Sequence, residues 1–112
     1  MSYPTILPKS GAVLAEVSEE RARQDAKWGE QNHPNGTPGM WHMTTLDALS
    51  RRTATDVAAA KGECTYAHIL VEEVAEALAE ASPERLRAEL IQAAAVAVAW
   101  VEKIDRDLRR EG

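Results

Sequence analysis

A chain of 112 residues is long enough for one small domain with a core of its own, and short enough that a partner subunit would add to it. Hydrophobic residues make up 45% of it, yet Phe is absent and the apolar content is mostly Ala, Leu and Val, which favours closely packed helices over a β-sandwich. The formal charge of −5 argues against a nucleic-acid-coating surface, and the single cysteine, Cys64, excludes an internal disulfide and a multi-cysteine zinc site.

Residues 1–10 hold Pro4 and Pro8 and read as an extended arm. No long apolar core follows a basic segment there, and the longest uncharged run, Leu90 to Val101, is too short to span a bilayer. The expectation is a soluble cytoplasmic protein with no membrane and no nucleic-acid polymer as partner. Ser10 and Gly11 open a first helix that runs to about Lys27 or Trp28 and stops at Gly29. Its stripe of Leu14, Val17, Arg21, Gln24 and Trp28 begins apolar and turns polar, which marks either a pocket edge or a helix leaving the core.

Residues 29–43 are expected to be a loop, because NHPNGTPG is dense in turn formers. Thr44 and Asp47 resemble a capping box for a second helix over Thr45 to Ala60, with Leu46, Leu49, Thr53 and Val57 inward and Arg51 and Arg52 outward or at an edge. Lys61 and Gly62 end it. Thr65 caps a third helix whose inward stripe is Leu70, Val74, Ala77, Leu78 and Ala81. Ser82 as N-cap with Pro83 at the first helical position starts the fourth. There Leu86, Leu90, Ala93, Ala97, Val101, Ile104 and Leu108 recur at alternating three and four residues, the seam of an antiparallel bundle. The fold class expected is all-α, one domain over 1–112, with four main helices completed by oligomerisation.

Acidic residues interrupt this pattern. Glu73 and Glu76 are three apart and so share a face of the third helix, where like charges repel. Beyond the turn at Ser82 and Pro83, Glu89 and Gln92 repeat that spacing and can come to lie opposite the first pair. Four oxygen-bearing side chains so placed describe a hard-cation site, with Mg²⁺ as the expected occupant. The bland alternative is a run of solvated glutamates. On the last helix Val96 and Trp100 continue the face of Glu89, so a polar cluster gives way to apolar groups, as a nucleotide site requires.

The order E-E-x-x-E in LVEEVAEALAE, then E-x-x-Q in AELIQAAAVAVAW, resembles the MazG-like all-α nucleoside triphosphate pyrophosphohydrolases, whose pattern is E-E-x-x-E followed by E-x-x-D. ERARQDAKWGEQNHPNG, at residues 20–36, resembles the opening helix and loop of small members. The resemblance implies a Mg²⁺-dependent hydrolase, with Mn²⁺ as an alternative ion, cleaving a nucleoside triphosphate between α and β to give a monophosphate and pyrophosphate. It makes Glu73, Glu76 and Glu89 metal ligands, and gives Glu72 a second ion or the attacking water. Arg21, Gln24, Lys27, Trp28 and Gln31 fall on the substrate side, and a homodimer or homotetramer is implied. Gln92 stands where the pattern has Asp; its amide can offer an oxygen to a cation but cannot act as a base. Two other classes compete. A diiron bundle needs Glu-x-x-His motifs on two helices, which this chain does not supply. A non-catalytic module of the same fold, binding nucleotide or protein, is compatible with Gln92.

Overall fold

A computed structural model of the chain describes residues 10–39 and 44–111, and among them there are four helices and no strand. The expected arm before Ser10, and Trp41 in the loop, lie outside the described residues.

Local chemistry sets the helix bounds. Helix α1, Gly11–Trp28, stops at Gly29, whose φ of 67° turns the backbone out of the helix while its N–H still donates to Asp25 O at 2.7 Å. Helix α2, Thr45–Ala60, begins with a complete capping box. Thr44 Oγ1 accepts from Asp47 N at 3.1 Å, and Asp47 Oδ2 accepts from Thr44 N at 2.9 Å. Helix α3, Tyr66–Leu78, is capped reciprocally by Thr65 and His68, with the imidazole Nδ1 accepting from Thr65 N at 3.2 Å in the place a carboxylate usually takes. Helix α4, Pro83–Glu111, starts where Ser82 Oγ accepts from Arg85 N at 3.4 Å. These bounds match the expected ones, because each cap is written within a few residues of sequence.

The described residues form two compact units. One holds α1 and the part of α4 from Val98 onward; the other lies between Pro34 and Ala97. In the second unit α2 packs against α3, and the buried Thr55 ties them: its hydroxyl donates to Arg51 O at 3.1 Å or to His68 O at 3.3 Å. The buried residues here are small: Ala48 and Ala58 on α2, and on α3 Ala75 and, on the opposite side of that helix, Ala77.

That choice of face corrects several expectations. Leu46, Leu49 and Val57 are exposed, on the side of α2 opposite Ala48, Thr55 and Ala58, and Thr53 is exposed with them. On α3, Val74 is exposed, Leu70 and Leu78 are half-buried, and only Ala77 of the expected stripe is buried; Ala81 is exposed and lies beyond the end of the helix. On α4, Leu86 and Ala93 are buried while Leu90, Ala97, Val101, Ile104 and Leu108 are exposed. In α1, Val13 is buried and its neighbours Leu14 and Val17 are not. The physical reason is closeness. Alanine faces let two backbones approach, so the chain's own contacts fall there and the larger apolar stripes stay uncovered. Each buried methyl contributes only about 0.8 kcal/mol, and no large side chain among the described residues is fully buried, so this interior is thin. No described helix is long and apolar enough to cross a membrane.

Candidate metal centre

Helix α3 is inverted in polarity where it matters. Val71 and Val74 are exposed, whereas Glu72, Glu73 and Glu76 are half-buried. Because α2 takes the alanine side, the glutamates next to it are carried inward, and two turns into α4 Glu89 reaches the same place. One carboxylate oxygen from each of Glu73, Glu76 and Glu89 lies within 4.8 Å of the other two.

The electrostatics of this trio are unfavourable as it stands. Glu73 Oε2 and Glu89 Oε2 are buried without a hydrogen-bond partner. Burial, and then the charges of Glu89 and Glu72, raise the Glu73 carboxyl above its ordinary range, with Arg52 opposing them. Burial and a shared hydrogen bond with Glu89 push Glu76 to about 7, helped by the charges of Glu73, Glu89 and Glu72. Buried polar atoms are nearly always satisfied, and an orphaned carboxylate oxygen costs free energy unless a cation or proton meets it. An all-oxygen, multiply anionic donor set fits a hard divalent cation such as Mg²⁺ or Mn²⁺.

Glu72 is outside the trio. Its side chain is 14% exposed and lies 3.9 Å from Arg52 Nε. Gln92, one turn beyond Glu89, is exposed. Val96 and Trp100 are half-buried further along α4.

The upstream set falls in the other unit. Arg21 donates to Gln24 Oε1 at 2.7 Å, and together with Asp25, Gln31 and His33 they line a polar hollow of about 460 Å³ at the end of α1. Lys27 Nζ sits 4.8 Å over the ring of Trp28, which is 59% exposed and so is not a core aromatic here.

Three features were not singled out from sequence. His68 caps α3, for which the signal was its position three residues after Thr65. A cavity of about 370 Å³ beside the trio is lined by Glu76 and Glu89 and also by Arg52 and Arg85; the signal for Arg85 was a cation in the first turn of a helix, where the dipole disfavours one. A mainly apolar hollow of about 270 Å³ between α2 and α3, edged by Arg51 and His68, holds no carboxylate.

Comparison with protein-family models, with curated proteins and with solved structures finds no match to this chain.

Proposed function

We propose that this chain is a divalent-cation-dependent nucleoside triphosphate pyrophosphohydrolase of the MazG-like kind, working as an oligomeric helical bundle. The single observation that carries the reading is the convergence of Glu73 and Glu76 from α3 with Glu89 from α4, two of their oxygens buried and orphaned, while α3 leaves Val71 and Val74 outside. A helix shaped only by burial would place those residues the other way round.

When bound, Mg²⁺ or Mn²⁺ supplies neutralisation of phosphate charge and acidifies water. The chain's own residues do the rest. Glu73, Glu76 and Glu89 hold the ion. Glu72 lies one residue from Glu73 and, held near Arg52, orients the attacking water and accepts its proton. The water oxygen bonds to the α-phosphorus as the bond to the α–β bridging oxygen breaks, and pyrophosphate leaves. By resemblance, Arg21, Gln24, Lys27, Trp28 and Gln31 contact the base, sugar or phosphates, with Trp28 exposed as a stacking surface needs to be.

The test incubates the purified chain with Mg²⁺ or Mn²⁺ and a panel of NTPs and dNTPs, resolving monophosphate from diphosphate products, with Glu73→Gln in parallel. Monophosphate plus pyrophosphate is expected, with kcat/KM lowered at least ~100-fold in the variant. Diphosphate plus orthophosphate would contradict α–β cleavage. Gln92, in place of a carboxylate, favours a second reading as a nucleotide-binding module; nucleotide binding with no turnover for any substrate selects it.

A further inference from the structure

We infer that Arg52 and Arg85 are phosphate-binding residues of this centre, gripping the two phosphates that depart as pyrophosphate, an inference that rests on the proposed hydrolase and deepens it. Both line the cavity beside the carboxylates, Arg52 from the middle of α2 and Arg85 from the first turn of α4, and Glu76, Glu80 and Glu89 face the same space.

Arg85 has no structural reason to be cationic. It stands at the end of α4 where the helix dipole opposes positive charge, and among the described residues no carboxylate lies within ion-pairing distance of its guanidinium. Arg52 is little better satisfied: its one carboxylate neighbour, Glu72, is 3.9 Å away, and its own side chain is 63% exposed. Arg85 thus keeps its planar donor fork free, and Arg52 keeps its own apart from the one long contact of Nε to Glu72, the geometry that pairs with phosphate oxygens.

The charge of the cavity decides the ligand. Three carboxylates and two guanidiniums line it and Glu73 completes the trio beside it, so alone the site is acidic; a divalent cation held by the trio would cancel the formal charge of these groups. With the carboxylates' charge met by the ion, the two guanidiniums are left for an anion, one from α2 and one from α4, which suits a polyanion longer than one phosphate. At about 370 Å³ it is near the lower end of small-molecule sites, which span roughly 300–1,000 Å³, and takes a phosphate chain rather than a whole nucleotide. In the hydrolysis the electron pair of the broken bond stays with the bridging oxygen on the pyrophosphate side. The arginines neutralise the charge that collects there, so a triphosphate is preferred to a diphosphate.

The experiment measures binding of inorganic tripolyphosphate to the full chain by calorimetry in excess Mg²⁺, and Mn²⁺ binding separately by electron paramagnetic resonance. Arg85→Gln and Arg52→Gln are each expected to weaken tripolyphosphate at least ~tenfold, Arg85→Gln while leaving Mn²⁺ affinity within about twofold, and Arg85→Lys to recover part of the loss. Wild-type tripolyphosphate affinity in both glutamine variants overturns the inference. If the wild-type chain binds Mn²⁺ but not tripolyphosphate, the inference falls and the metal centre stands; if it binds neither, both fall. Arg85→Gln removes an exposed cation from the unfavourable end of a helix, so it is expected to fold, which circular dichroism checks.

Discussion

At Glu76 the fold has set a carboxyl against its own ionisation. The folded chain holds the proton up to about 7, against an ordinary value of 4.5, chiefly through burial and the bond to Glu89. The group's favourable contribution to folding is therefore complete below 4.5 and is lost as pH rises through 7. A cation bound as proposed would compete for the same oxygens. We expect Mn²⁺ affinity, read by paramagnetic resonance, to rise ~tenfold or more between pH 5.5 and pH 8, since the ligands must be deprotonated first. We expect the thermal stabilisation by Mg²⁺ to grow over the same interval; a flat affinity profile would mean that Glu76 does not take part in binding. The acidic positions themselves were legible in sequence from their spacing. Their burial was not, because it depends on which side of α3 meets α2, and no spacing within α3 states that.

Among elements, the α2 and α3 pair carries the most structural information. Ala75, with no exposed surface, sits where α3 meets its neighbours, so Ala75→Leu inserts volume that the contact lacks. An overpacking loss of about 1–3 kcal/mol is expected, measured by urea unfolding, whereas Val71→Ala on the exposed face should change stability far less. Equal effects at the two positions would mean that the contact is looser than it looks. Helix bounds were readable because Thr44 with Asp47, Thr65 with His68, and Ser82 with Pro83 each act over a turn. Helix faces were not legible in that way, because the large apolar residues, which hydropathy points inward, lie mostly outside. In helices this rich in alanine two apolar stripes coexist, and hydropathy ranks the leucine stripe first although closeness selects the alanine one. Arg85 escaped notice for a related reason: in a charged surface helix a single cation looks ordinary until its partners are known.

For the whole molecule, the uncovered leucines and isoleucines are the main fact. Leu46, Leu49, Leu90, Ile91, Ile104 and Leu108 are all more than two-fifths exposed, a load of apolar surface that isolated chains seldom carry. We expect light scattering to give a mass that is a multiple of 12.3 kDa, and Leu49→Glu or Ile91→Glu to lower it; a wild-type mass of 12.3 kDa would refute self-association. The alanine-rich run of α4 hinted at such a partner. The division of α4 between two compact units left no trace, since no Gly or Pro interrupts the helix between Glu84 and Glu111 and its periodicity reads straight through Ala97 and Val98. The formal charge of −5 counts every glutamate as ionised, and the trio makes that count too negative near neutrality. Filling the proposed centre would then expel what Glu76 had kept, a release of protons near neutrality that a glass electrode would register in unbuffered solution as the salt is added. Acid released on loading and metal shed on acidification would be one exchange seen from its two sides.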